Sequence, residues 1–220
     1  MQRILEPEVM DTDTEAVEYD AMDFAEVNTN FAQKVIEIST LEAKVLDLGT
    51  GTARIPIIIA QQRPKWQITA IDLAHSMLKI ALKNVRENNL EDQITLELKD
   101  AKNLPYLPHS FDVVISNSLI HHLPDPMPFL REIKKVVKSN GTIVIRDLIR
   151  PNNKESLNQI VEQLGQDYDH HQKKLFADSL HAAFTLEEVK KLIKIAGLNG
   201  VKVYQSSDIH WTAERAYYYL

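Results

Sequence analysis

The stretch KVLDLGTGTA, residues 44–53, decides how this chain folds. Lys44 to Leu48 is short and apolar, as a buried strand should be, and it runs directly into Gly49-Thr50-Gly51. Glycines at alternate positions permit positive φ and let a ligand approach the backbone closely. A strand, a glycine-rich turn and a helix in succession form a cradle for a nucleotide-containing cofactor. The spacing argues against NAD, because the third glycine of a dinucleotide site is missing and an acid, Asp47, stands two residues before the first.

Outward from this turn, the segments QITAID, ITLELKD, FDVVISN and GTIVIRD read as further strands, each short and bounded by turn residues. ARIPIIIAQQ, SMLKIALKNVRENN and PFLREIKKVVKSN carry the spaced apolar residues of helices. Pro128 suits the first turn of the last of these, and KSNG would close it with Gly141 at the C-terminal turn. Strand and helix in alternation imply a parallel sheet covered on both faces. Residues 20–38 read as one leading helix, and the polar stretch 152–184 as a helical insertion. TLEEVKKLIKIAGL opens with a capping box, Thr185 and Glu188, and stops at Gly197. GVKVYQ and TAERAYYYL supply a terminal strand pair. The expected fold is α/β: a doubly wound, mostly parallel seven-stranded Rossmann-like sheet in one domain, 1–220. Within it we expect an N-terminal lid segment (1–40), a cofactor-binding core (41–150), a helical insertion that caps the substrate (151–184) and a C-terminal helix with strand pair (185–220).

Composition excludes several classes. A chain of 220 residues with 44% hydrophobic content can bury one full core. Its formal charge of −6 argues against nucleic-acid and anionic-membrane partners. The absence of cysteine removes disulfides, thiolate metal sites and cysteine nucleophiles. The acidic N-terminal twenty residues do not read as a signal sequence, and a cytoplasmic location is expected.

In doubly wound sheets, ligands bind at the carboxyl ends of the strands. Those ends hold Asp47 to Ala53, Asp72, Asp100 with Ala101, Asn117 and Asp147, so four of five carry a carboxylate. Such a rim repels phosphate and favours a sulfonium, an ammonium and a ribose diol. DLGTGTA, ID at 71–72, KDA at 99–101 and FDVVISNSLIHHLPDP, in this order, resemble the motifs of the class I S-adenosylmethionine-dependent methyltransferases of the small-molecule type. The resemblance covers roughly residues 40–200.

It implies that S-adenosyl-L-methionine is the cofactor. Gly49, Thr50 and Gly51 would border its methionine end, with Asp47 reaching the ammonium. Asp72 would accept both ribose hydroxyls. Asp100 and the backbone of Ala101 would read the adenine edge, with Leu73 and Met77 on its faces. Asn117 and Ser118 would lie beside the methionine portion, and Tyr19, ahead of a leading helix that acts as a lid, would line the pocket. Each residue also has a plain structural use: a strand-to-helix turn for the glycines, a helix N-cap for Asp72, a solvated loop acid for Asp100, and docking of Phe24 and Phe31 for the leading helix.

Methyl transfer from a sulfonium is an in-line displacement, so positioning supplies much of the rate and a base is needed only when the acceptor is protonated. The family's DNA-modifying members carry Asn/Asp-Pro-Pro-aromatic after the fourth strand; this chain has NSLI instead, so a small molecule or peptide is the expected acceptor. His121 and His122 follow at the rim and are the candidate catalytic bases, a structural use under the LPDP loop being the alternative. Arg146 and Arg150 could grip an acceptor carboxylate or form surface ion pairs. No metal is assigned: His170, His171, His181 and His210 could converge with Asp169 or Asp178, but no i, i+4 histidine pair occurs and adjacent histidines do not readily chelate together. Two other functions stay open, transfer of the cofactor's aminopropyl arm and binding without catalysis.

Overall fold

The computed structural model describes residues 1–6, 11–22 and 24–218. Its centre is a seven-stranded sheet in the order β3-β2-β1-β4-β5-β7-β6. The strands are β1 (Lys44–Leu48), β2 (Gln67–Asp72), β3 (Ile94–Leu98), β4 (Phe111–Asn117), β5 (Val137–Leu148), β6 (Lys202–Gln205) and β7 (His210–Arg215). Pairings among β1 to β5 are parallel, and β7 runs antiparallel between β5 and β6. The chain steps outward from β1 to β3, then returns to the other side of β1 with β4. That reversal opens a crevice at the carboxyl ends of β1 and β4.

Side chains alternate between faces with the period of a strand, and so each face acquires its own core. Val45, Ile68, Val113, Ile115 and Val144 cluster with apolar residues of α2 (Ala25–Glu37), α3 (Arg54–Gln62) and α4 (His75–Glu87). Leu46, Leu48, Ile71, Val114, Ile143 and Ile145 cluster with α5 (Met127–Val136) and α8 (Leu186–Ala196). Burial on both faces is why the strands read as continuous apolar runs.

Three expectations are corrected. The helix expected over 20–38 starts only at Ala25, as α2, and a separate helix, α1 (Asp13–Ala21), precedes it, with Asp23 between them outside the described residues. Arg54 explains the break: its guanidinium donates to the carbonyl oxygens of Met22 (2.7 Å) and Asp20, taking the place of the next helical turn. Second, α5 ends at Val136 and residues 137–141 belong to β5, where Val137 pairs with Phe111. Gly141 is required not by a left-handed turn but by close approach, since a Cβ there would lie 2.7 Å from the Asp112 carbonyl oxygen. Third, the last strand starts at His210 and ends at Arg215, and residues 219–220 of the expected segment lie outside the described residues.

The insertion forms α6 (Lys154–Leu164) and α7 (His170–Ala182), capped by Asn153 and by a capping box of Asp169 with Gln172. Both pack on Leu148 through Leu157, Val161 and Leu180. Residues 1–6 run as an extended strap against α7, held by Ile4 N–H donating to the His181 carbonyl (3.2 Å) and Arg3 Nε donating to that of Ala182 (2.6 Å). No helix of the described residues is long and apolar enough to cross a membrane.

The expected box at α8 is formed: Thr185 accepts from Glu188 N–H, Glu188 accepts from Thr185 N–H, and Gly197 closes the helix at φ +67°. Replacing Thr185 with Ala should cost about 1 kcal/mol. Urea unfolding should show a lower midpoint with an unchanged slope.

Candidate active site

The turn after β1 is held to the end of β2. Gly49 and Thr50 N–H groups both donate to the Ile71 carbonyl oxygen (3.0 and 2.9 Å). Gly49 and Gly51 have φ of +75° and +55°, so the conformation requires glycine. Ala53, just before Arg54 at the position of the missing third glycine, is itself left-handed at φ +63° and fully buried. A side chain at Gly49 would meet Leu119, whose methyls lie 3.0 Å from the position of a Cβ, so β4's loop packs directly on the turn.

Asp72 ties the second half of the turn down. Its Oδ2 accepts from Gly51 N–H (2.8 Å) and its Oδ1 from Ala74 N–H (2.9 Å). Asp72 is therefore not the N-cap of α4, a position held by Ala74. Burial raises its pKa, against the pull of these amides. Each oxygen keeps a lone pair beyond its one amide. Asp100 is held similarly, Oδ1 accepting from Lys102 N–H (2.8 Å) with the Lys102 ammonium at 3.3 Å.

A cleft with about 810 Å³ of empty space opens beside these groups. Its walls bring together Tyr19, Gly49, Gly51, Asp72, Leu73 and Met77 with Asp100, Ala101, Asn117, Ser118 and His122. A much smaller pocket adjoins it, sharing Tyr19, Gly49 and Asn117 and adding Asp47, Thr50, Asn28 and Arg54. Asp47 is buried, and burial pushes its carboxyl up to about 7, opposed by the Thr50 hydroxyl and reinforced by Asp72. Among the described residues no lysine or arginine pairs with it. A buried carboxylate without a cation at one end, and a held carboxylate at the other, fit an ammonium and a diol joined by a long ligand. The residues present therefore fit S-adenosylmethionine.

Tyr19 lies within α1 rather than ahead of it. Its ring stacks obliquely on Phe24, centroids 5.5 Å apart, and its edge is 3.5 Å from where a Cβ of Gly51 would stand. Asn28 and Arg54 were missed by sequence reasoning. Arg54 directly follows the turn and could have been noticed, whereas Asn28 carries no signal until α2 is folded over β1.

At the other end, Ser118 adopts a left-handed φ of +55° and leads into a 3₁₀ turn, Ile120–His122. His122 lines the cleft; His121 is turned inward and buried. Asp147, expected on the ligand rim, is instead wholly buried beneath this turn. It accepts from His121 N–H (3.0 Å) and lies 2.6 Å from His121 Nδ1. The strap brings in Glu6, whose Oε1 is 3.2 Å from His121 Nε2 and 3.1 Å from His122 Nδ1. Burial opposes both shifts, yet Asp147 and Glu6 raise His121 to about 9, and the two imidazoles lower Glu6 to about 2. Glu6 is separated from the histidines by more than a hundred residues, so no local pattern points to it.

The remaining candidates do not reach the cleft. Arg146 donates to Asn117 Oδ1 (2.9 Å) and the Val27 carbonyl (2.8 Å), so it braces Asn117 from behind. Arg150 bonds the Ala183 carbonyl (2.9 Å) and Glu188 (2.6 Å). Asp169 caps α7, Asp178 pairs with Lys174 and His210 lies beside Ser207, so these groups do not converge with His170, His171 and His181.

The methyltransferase-domain family profile matches residues 40–216. Demethylmenaquinone methyltransferases are similar in sequence. The Thermotoga maritima protein is 32% identical over 137 residues, 61% of this chain and 57% of that protein. The Lactobacillus johnsonii protein is 36% identical over 109 residues, 49% and 45% of the two chains. The chain thus spans about half the length of the curated relatives it matches. Among solved structures, an S-adenosylmethionine-dependent methyltransferase from Aquifex aeolicus superposes with a TM-score of 0.67 at 18% identity, covering 93% of this chain and 98% of that one. Phosphoethanolamine N-methyltransferase 2 of Haemonchus contortus, solved with S-adenosyl-L-methionine, gives 0.69 at 21% identity, covering 89% and 44%. These likenesses show a shared fold. With the family match over most of its length, the chain belongs to the methyltransferase-domain family.

Proposed function

We propose that this protein transfers the methyl of S-adenosyl-L-methionine to a small-molecule or peptide acceptor, in one domain spanning 1–220. The observation that carries the reading is the cleft at Asp100 and Asp72 with the cavity at Asp47 on the other side of the same turn, which puts carboxylates at the positions where a ribose diol and an ammonium would rest. When bound, the cofactor supplies a methyl already activated by its positive sulfur. The chain binds and orients. Asp72 would hold the ribose hydroxyls, Asp100 and Ala101 the adenine edge, and Leu73 and Met77 its faces. Asp47, Thr50 and the Gly49–Gly51 backbone would take the methionine end, with Asn117 and Ser118 beside it. Tyr19 and α1 would close over this end as a lid and exclude water.

His122 faces the cleft beside Ser118, which makes it the group that would meet the acceptor; His121, behind it, would fix its surroundings. A small acceptor is supported by the relatives named for demethylmenaquinone and by the absence of the DNA-modifying sequence after β4. Aminopropyl transfer is told apart by product: S-adenosylhomocysteine marks methyl transfer, methylthioadenosine the alternative.

Calorimetry should show binding of S-adenosylmethionine and S-adenosylhomocysteine, and none of NAD. Turnover with a panel of phenols, thiols and amines should release S-adenosylhomocysteine. Comparable affinity for NAD would sink the reading.

Asp72→Ala should weaken cofactor binding by about 1.5–3 kcal/mol, the loss of hydrogen bonds to a charged group. An unchanged dissociation constant would mean that Asp72 serves the turn alone.

Asp47 generates a pH prediction. Its folded pKa, about 7, lies above the unfolded value, so the bare protein gains a proton on folding and this group lowers stability as pH rises from about 4 to 7. An ammonium beside it favours the carboxylate. Cofactor affinity should therefore rise by up to about tenfold per pH unit below 7 and level off above it. The rise should vanish in Asp47→Asn, when binding is followed from pH 5.5 to 8.5.

A further inference from the structure

We propose that Glu6, His121 and His122 form a binding site for one divalent transition-metal ion of the zinc class, at the acceptor end of the cleft. The site rests on geometry that the cofactor reading does not use. One donor atom from each residue lies within 4.8 Å of the other two, the one such cluster of three or more among the described residues. The separations of Glu6 Oε1 from the two imidazole nitrogens, 3.2 and 3.1 Å, match the edge of a coordination tetrahedron, which is roughly 3.3 Å for metal–ligand bonds near 2.0–2.1 Å.

Adjacency of the histidines is no obstacle here. The 3₁₀ turn sets the rings 4.1 Å apart and tilted by 35°, and they offer opposite nitrogens, Nε2 from His121 and Nδ1 from His122. Two further observations point to a ligand. The Glu6 side chain is only 9% exposed, yet its Oε1 has no aligned hydrogen bond, and neither has the buried His122 Nδ1. Asp147, 2.6 Å from His121 Nδ1, supplies the carboxylate behind a ligating imidazole that fixes its tautomer and leaves Nε2 free to coordinate. The strap that delivers Glu6 is anchored at the same turn, Arg3 Nη2 donating to the carbonyls of His121 (2.8 Å) and Leu123 (2.9 Å).

Charge favours a dication. Glu6 and Asp147 bring two negative charges into a buried cluster, and one divalent ion neutralises both. Two imidazoles and a carboxylate are a ligand set that zinc accepts while keeping a position open. Because His122 also lines the cleft, the site borders the space where an acceptor would enter. An acceptor hydroxyl or thiol binding there would release its proton to solvent and rest as the anion, which names the acceptor class this site would serve. That last step depends on the cleft being the methyl-transfer site; the metal site itself does not.

The test is titration of the metal-free full chain with Co²⁺, read by visible ligand-field absorption, and with Zn²⁺, read by calorimetry. One equivalent should bind, with the intense bands of four- or five-coordinate cobalt. Glu6→Gln and His122→Ala should each weaken binding by about 100-fold or more, and Asp147→Asn by roughly 10- to 100-fold. Arg3→Ala, which loosens the strap but removes no donor, should weaken binding less than Glu6→Gln, and His210→Ala should leave it unchanged. Circular dichroism of each variant identifies any that fails to fold. Absence of stoichiometric binding to wild type, or equal affinity in folded Glu6→Gln, overturns the site. S-adenosylhomocysteine affinity measured on the same metal-free samples separates the two readings: cofactor binding without metal binding removes only the metal site, and the converse removes only the cofactor assignment.

Discussion

Two hydrogen bonds from consecutive amides, Gly49 and Thr50, to one carbonyl oxygen at Ile71 set the geometry on which the rest of the site depends. They force the chain leaving β1 to bend across the end of β2, a path open to glycine at positive φ. With that path fixed, Gly51 N–H points at Asp72, and the Asp72 carboxylate faces the cleft rather than solvent. The bend also leaves a gap over β1 that Leu119 fills from the neighbouring strand end. The glycines, the acid of β2 and the loop after β4 are thus one mechanical unit, although they lie in three separate parts of the chain.

The cleft concentrates carboxylates where water is scarce. Desolvation raises Asp47 and Asp72, and among the described residues neither is compensated by a lysine or arginine in an ion pair. The folded protein carries this cost so that a ligand with matching positive charge and hydroxyls can relieve it. At the histidine end the arrangement is inverted. Asp147 and Glu6 lie against imidazoles, and a positive charge between them, carried by a proton or by the proposed metal ion, is stabilised.

The insertion, expected as a cap over the substrate, acts on this histidine end only indirectly. None of residues 151–184 lines the cleft; α7 instead holds the strap, and the strap carries Glu6 to the histidines. Residues remote in sequence from any glycine-rich motif thereby shape the surroundings of the two histidines.

The sequence by itself determined the alternating architecture, because each β-branched run and each capping signal acts locally. Thr185 with Glu188 formed the box it announced, and Gly49 and Gly51 formed the turn. It also brought the strand-end residues to one crevice, since strand ends in a doubly wound sheet must meet there. Tertiary structure decided what depends on contacts between distant segments. Gly141 looked like a helix stop until β4 pressed its Asp112 carbonyl against it, and the leading helix starts later than expected, beyond the carbonyl of Met22 that Arg54 holds. Asp147 looked like part of the ligand rim, but burial under His121 makes it a partner for that ring. Glu6 had no local signal at all: an acid near the N-terminus acquires meaning only when the strap crosses α7 and places its carboxylate between two imidazoles.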